Sequence, residues 1–267
     1  MSVFLNATGL SGDILVNLVI MLLIVIGGIG FLVWDDFTRH RLNWKRYSLH
    51  TKIVLSMTGS LIFGGAVLFY LFERNGLMEG MGITETVLSC LFSSVTARTA
   101  GFNTIDTAGL SISSKLLTVF LMFTGGSPGS TAGGIKTTTL AVLLIYVMTN
   151  LRNSSGCHIF GRRIEDEAIK KAGNVMIISL SMAFLSTLLI CHLQPLPLED
   201  VMFEVFSAIG TVGMSTGITR ELSCISSIMI ILLMYCGRIG SMALALSFLE
   251  RKKVVPVQCP AEKVMIG

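Results

Sequence analysis

Apolar residues in this chain fall in blocks of about twenty or more, long enough to cross the ~30 Å hydrocarbon core of a bilayer as helices. The blocks run over about 15–34, 53–72, 113–150, 173–193 and 224–249. Such an arrangement excludes an ordinary soluble domain. Of 267 residues, 52% are hydrophobic and only 13% charged, where a soluble domain carries roughly a quarter. The mean hydropathy of +0.76 agrees. The third block is broken by Gly125-Gly126-Ser127-Pro128-Gly129-Ser130-Thr131-Ala132-Gly133-Gly134, a run that no continuous helix survives. Residues 1–17 lack the basic start of a signal peptide and read as a loop entering a helix.

Charge placement sets the topology. Arg39, Arg41, Lys45, Arg46 and Lys52 follow the first block, Arg152, Arg162, Arg163, Lys170 and Lys171 follow the third, and Arg251, Lys252, Lys253 and Lys263 follow the fifth. These 14 of the 20 basic residues fall on one side if alternate blocks run inward. The other side holds Glu73, Glu79, Asp106, Glu199, Asp200 and Glu221. The positive-inside rule then puts the basic loops and the C-terminus in the cytoplasm. The net charge of +4 is therefore a topology signal and does not imply nucleic acid.

Two apolar segments, 84–95 and 199–209, are too short to span and are expected to be re-entrant half-helices. Each leads into a small-residue turn: Thr99-Ala100-Gly101-Phe102-Asn103 after the first, Thr211-Val212-Gly213-Met214-Ser215 after the second. The shift between the turns is about 112 positions, and one offset serving separated motifs indicates a duplicated unit. Thr104 and Thr216 keep that shift, and so do Leu121-Met122-Phe123-Thr124-Gly125 and Leu233-Met234-Tyr235-Cys236-Gly237. Gly27 and Gly30 align with Gly125 and Pro128, and with Gly237 and Gly240, so the first block matches the end of a preceding, incomplete unit. The expected fold is all-α and integral to the membrane: repeated helix–pore-loop–helix units, about five transmembrane helices and two re-entrant half-helices. Residues 1–49 close the incomplete unit, 50–156 form one full unit with the intramembrane loop 125–134, and 157–267 form the last unit and a cytoplasmic tail.

Non-helical backbone at membrane depth is tolerated only where it is buried in protein or lines a watery cavity. A half-helix followed by a glycine turn presents backbone carbonyls that can replace part of a cation's water shell, and glycine supplies the angles that aim them. The C-terminal ends of the half-helices would favour a cation. These oxygens come without carboxylates inside the membrane segments. One such turn alone is more often a packing turn; its duplication, the half-helices and the shared face favour an ion path.

The run Ser94-Val95-Thr96-Ala97-Arg98-Thr99-Ala100-Gly101-Phe102-Asn103-Thr104 resembles the third pore loop of the Trk/Ktr/HKT superfamily of potassium and sodium transporters. Ser207-Ala208-Ile209-Gly210-Thr211-Val212-Gly213-Met214-Ser215-Thr216-Gly217 resembles the fourth, and Phe31-Leu32-Val33-Trp34-Asp35-Asp36 is similar to the KtrB (NtpJ-like) branch. The resemblance implies that the carbonyls of Thr99, Ala100, Gly101, Phe102, Thr211, Val212, Gly213 and Met214 line the path of a permeant potassium or sodium ion. It implies a gate made of Gly125, Gly126, Ser127, Gly129, Gly133 and Gly134 with Arg238, which its place in the fifth block makes a buried mid-helix arginine, either facing the pore or packed on backbone carbonyls; Lys136, grouped with the gate, either snorkels toward the cytoplasm or pairs within the loop. It implies no cofactor, a homodimer in the cell membrane in contact with lipid, and cytoplasmic nucleotide-binding regulatory subunits of the KtrA type. The family carries four units around one filter, so half of the filter is absent here.

Two other readings rank lower: a secondary transporter with a broken-helix substrate site, and an inactive fragment of a longer transporter. An enzyme ranks last, because no nucleophile–base pair or metal-ligand cluster is visible. The six cysteines are scattered and read as apolar fillers. Lys136 is not part of a phosphate-binding loop, because Ile135 separates it from Gly134. Arg98 is expected to clamp neighbouring pore-loop carbonyls; His158 and His192 receive no role.

Overall fold

The computed structural model describes residues 13–41, 43–152 and 156–240. The end of the fifth apolar block and the basic tail from Arg251 lie outside them. Helix α1, Ile14–Ile29, starts at Asp13, whose carboxylate accepts the amides of Leu15 at 3.0 Å and Val16 at 3.2 Å. Helix α2, Phe31–His40, follows after one residue and is bent 95° from α1. The apolar block across them is therefore not one helix, as its composition suggests. Gly30 makes the corner with φ 86°, a left-handed angle costly for residues with a Cβ. A Cβ there would lie 2.6 Å from the Pro128 carbonyl oxygen, and the Phe31 amide donates to Gly129 O at 3.2 Å.

Helix α3, Leu49–Glu73, and helix α7, Asp166–Leu193, are long and apolar enough to cross a membrane; the bent α1–α2 pair would make a third span. The remaining apolar helices are shorter: α4 Ile83–Thr96, α5 Ile112–Phe123, α6 Thr137–Leu151 and α9 Cys224–Ile239. Helix α8, Leu198–Gly210, completes the helical set. Among the described residues, full-length spans are thus fewer than the five expected, because the third block divides into α5 and α6 and the fifth extends past the described residues. One element departs from an all-α fold. Strands β1, His158–Ile159, and β2, Arg162–Arg163, pair antiparallel in the loop before α7. Phe160 (φ 51°) and Gly161 (φ 74°) turn the hairpin, the positive-φ pair favoured by two-residue connections. Trp44 meets Phe160 edge-on at 6.3 Å, joining two basic loops.

Two of the short helices, α4 and α8, are the most buried. Nine of the 14 residues of α4 and eight of the 13 in α8 are buried, against six of 28 in α7, so α4 and α8 form the centre and the long helices its wall. Helix α4 packs on α3, and α8 lies among α5, α7 and α9. A core of Phe69, Cys90, Leu121, Met122 and Phe203 joins the two halves. Lys115 and Asp200 add an ion pair of 2.8 Å between α5 and α8, with side chains only 11% and 16% exposed. Removing one partner strands the other charge, a loss of about 3 kcal/mol. Asp200→Leu should lower the melting temperature in detergent, and adding Lys115→Met should recover most of the loss; a double variant as unstable as the sum of the singles would deny the coupling.

Equivalent serines cap the corresponding helices. Ser111 begins α5 and Ser223 begins α9, each accepting the amide three residues on at 3.3 Å. Each serine's own amide is held by a distant side chain, Glu73 Oε1 at 2.9 Å and Gln194 Oε1 at 2.8 Å. On the opposite side, beyond the apolar block that ends at Trp34, Asp36 accepts the Ser48 amide at 3.0 Å and the Thr51 hydroxyl at 2.5 Å. The Ser48 and Thr51 bonds hold its carboxyl down at about 2, from 3.8. A depressed carboxylate stabilises above its unfolded value and loses that contribution as pH falls through the folded one. The protection of amides at the start of α3, taken relative to their intrinsic exchange rate at each pH, should therefore fall as pH drops from about 4 toward 2, and stay flat over that window in Asp36→Asn.

Candidate functional site

The two glycine turns are built alike. After α4, the amides of Ala100 and Gly101 both bond Thr96 O, at 3.1 and 3.3 Å. After α8, the Val212 amide bonds Ser207 O at 2.9 Å. Thr99 (φ 76°), Gly101 (φ 75°), Thr211 (φ 53°) and Gly213 (φ 86°) are all left-handed. A β-branched residue in that region is an outlier, strain that structures retain chiefly at functional sites. Hydroxyls in the last turns of the half-length helices reach the turns: Thr96 Oγ1 donates to Phe102 O at 2.7 Å, and Ser207 Oγ to Met214 O at 2.6 Å. These bonds anchor Phe102 and Met214. Among the described residues, no hydrogen bond engages the carbonyls of Thr99, Ala100, Gly101, Thr211, Val212 or Gly213.

Though 111 residues separate Gly101 from Val212, the turns touch. A Cβ on Gly101 would lie 2.2 Å from the Val212 carbonyl oxygen. Thr107 Oγ1 donates to Ser215 O at 2.6 Å, a second tie between them. A Cβ on Gly213 would meet nothing within 4 Å, so the second turn has an open side.

The glycine-rich run packs beside the second turn as a stapled loop. Gly125 N bonds Ile135 O at 2.9 Å, Ile135 N bonds Phe123 O at 3.2 Å, and Thr137 N bonds Gly126 O at 3.1 Å. Ser127 ties it to the end of α1, its amide donating to Gly28 O at 3.0 Å and its hydroxyl to Gly28 O and Ile29 O. Gly133 sits under the second turn, where a Cβ would lie 2.2 Å from Thr211 Oγ1. Gly129 faces the Phe31 ring, and Gly134 lies against Gly210. Lys136 Nζ donates to Ala132 O at 2.5 Å, and the Arg238 guanidinium to Thr131 O.

Three expectations need correction. Arg238 is neither buried nor mid-helix: it is exposed in the last turn of α9 and donates to the Thr131 carbonyl of the loop. Arg98 is buried, but its guanidinium reaches Thr58 Oγ1 on α3 at 3.4 Å instead of pore-loop carbonyls. A carboxylate does lie within the short helices, since Glu204 in α8 is 6% exposed. Its Oε1 accepts the hydroxyls of Ser215 and Thr219, bracing the backbone just past Met214. Its place in the middle of the half-length segment, apart from Glu199 and Asp200 at the segment's start, is the sequence signal for it. The braces Thr96, Thr107 and Ser207 gave no comparable signal. Cys90, Cys157, Cys191, Cys224 and Cys236 are free thiols, and no group of potential metal ligands occurs among the described residues.

The chain is 40% identical over 258 residues to the potassium/sodium uptake protein NtpJ of Enterococcus hirae, covering 94% of this chain and 57% of that protein. It is 37% identical over 252 residues to the Ktr system potassium uptake protein B of Bacillus subtilis, covering 93% and 56%. The chain thus spans little more than half the length of these relatives. Its fold matches the crystal structure of the potassium transporter TrkH from Vibrio parahaemolyticus with a TM-score of 0.70 at 15% identity, over 88% of this chain and 52% of that one. The family described as TrkH, cation transport protein, matches residues 10–255. This chain belongs to the TrkH family of cation transport proteins.

Proposed function

We propose that this chain provides about half of a backbone-carbonyl filter for channel-like uptake of potassium, or sodium, across the cell membrane. The observation that carries the reading is the contact of two strained turns whose six carbonyls have no hydrogen-bond partner among the described residues. Unsatisfied carbonyls gathered at membrane depth are costly unless water or a cation meets them. The six belong to Thr99, Ala100, Gly101, Thr211, Val212 and Gly213; Phe102 and Met214 complete the strands and fasten them to α4 and α8. The open side of Gly213 suits further strands supplied by the part of the relatives that this chain does not match.

In this reading α4 and α8 are re-entrant half-helices of two duplicated units, 50–156 and 157–267, and residues 1–49 end an earlier one. The shared offset and the matched caps at Ser111 and Ser223 support the duplication. The loop 125–134, with Lys136 and Arg238, gates the path beneath the filter. The names of the Ktr system relatives support a multi-component assembly, here a homodimer with cytoplasmic nucleotide-binding subunits of the KtrA type and an inward C-terminus. A broken-helix secondary transporter is less favoured, because the charges at the break, Lys136 and Arg238, are cations. In a complete transporter carrying these turns, Gly213→Ser should keep flux but lower the preference for potassium over sodium. An unchanged preference would remove Gly213 from the filter.

A further inference from the structure

Helices α3 and α4 leave an apolar groove of about 640 Å³ on the outside of the molecule. Its α3 wall is a single stripe, Phe63, Ala66, Val67, Tyr70 and Arg74, at the i, i+3, i+4 spacing of one helix face. Ile83, Val87 and Leu91 on α4 form the other wall, and buried Met78 and Cys90 lie at its floor. Phe63, Val67, Ile83 and Val87 are 68%, 59%, 87% and 51% exposed, so no described part of the chain fills the groove. Its one charge is Arg74, at the end of α3. That guanidinium is exposed and has no carboxylate partner among the described residues.

The length of the stripe selects an occupant. From Phe63 to Arg74 the helix rises about 16 Å at 1.5 Å per residue, close to half of the ~30 Å hydrocarbon core. With α3 crossing the membrane, the groove covers the depth of one leaflet, with apolar residues along it and Tyr70 and Arg74 at the level of the headgroups, where aromatic side chains concentrate and long basic side chains extend. A guanidinium there matches phosphate oxygens in a bidentate fork, and the apolar stripe matches an acyl chain.

We propose that this groove binds an anionic phospholipid of the outer leaflet, its acyl chain between α3 and α4 and its phosphate on Arg74. The proposal rests on the reading that α3 crosses the membrane with Arg74 at the outer face.

The test is native mass spectrometry of the full 267-residue chain released from nanodiscs of mixed phosphatidylglycerol and phosphatidylcholine. Wild type should retain phosphatidylglycerol preferentially. Arg74→Ala should weaken that retention about fivefold, the worth of one basic side chain at a lipid surface. Ala66→Trp, which fills the groove from its α3 wall, should lose the lipid with Arg74 intact, and circular dichroism on both variants establishes that the helices persist. Equal retention of both lipids, or no loss in either variant, would overturn the site. So would a cross-link in a complete transporter from Val87→Cys to another protein segment, because the groove would then be a protein contact. Labelling of Asn75→Cys, in a background with the native cysteines replaced by serine, by an impermeant thiol reagent in whole cells checks the orientation separately. Labelling from outside without lipid preference rejects the site alone, whereas no labelling rejects the topology.

Discussion

Gly101→Ser should abolish ion transport in a complete transporter, while Gly213→Ser leaves measurable flux with altered ion preference. The two glycines occupy the same place in the two turns and both have positive φ, 75° and 86°, so either serine bears the left-handed penalty of about 1–2 kcal/mol. Their surroundings separate them. At Gly101 the new Cβ would lie 2.2 Å from the Val212 carbonyl oxygen, whereas at Gly213 it meets nothing within 4 Å. Overpacking adds about 1–3 kcal/mol, and here the strain falls on a backbone oxygen that cannot rotate away. The sum of about 2–5 kcal/mol at Gly101 is a large part of a typical stability of ~5–15 kcal/mol. Rubidium influx and thermal melting, measured together, separate lost assembly from lost permeation. Equal effects of the two serines would mean that the turns do not meet as described.

Shortening the glycine-rich loop should raise flux. Removing 128–132 deletes the carbonyl of Thr131 that Arg238 binds and the Gly129 oxygen that holds the Phe31 amide. It leaves the staples at Gly125 and Ile135, and Gly133 beneath Thr211. A gate so loosened opens, and a scaffold so loosened collapses, so the sign of the change is the diagnostic. Gly133→Ala supplies the opposite arm. Its methyl would lie 2.2 Å from Thr211 Oγ1, and the loop would then push into the second turn, lowering flux. Reduced flux in both variants would make the loop a support for the filter with no gating role.

Helix positions were legible where composition changes abruptly. The expected segments 84–95 and 199–209 differ from α4, Ile83–Thr96, and α8, Leu198–Gly210, by one residue at each end, because polar runs and proline bound them. The corner at Gly30 was not legible, since apolar residues continue through it and only the packing of Pro128 and Gly129 explains why the chain turns there. The left-handed angles of Thr99 and Thr211 were equally hidden, because β-branched residues normally avoid that region. Arg238 misled: it stands one position after Gly237 in an apolar block, which suggests burial, but α9 ends within two residues and leaves the guanidinium exposed. Glu204 is not legible as a brace in the sequence, because its burial depends on Ser215 and Thr219 folding back over α8.

The claim that these turns are half of a cation filter is tested most directly by potassium flux into liposomes. One preparation holds this chain alone, and the other holds it assembled with the segment of the NtpJ relative that this chain does not match. The account predicts no potassium-selective flux from the chain alone and selective flux, sensitive to Gly213→Ser, from the assembled pair. Potassium-selective flux from the chain alone, or flux from the pair whose selectivity ignores Gly213, would contradict it.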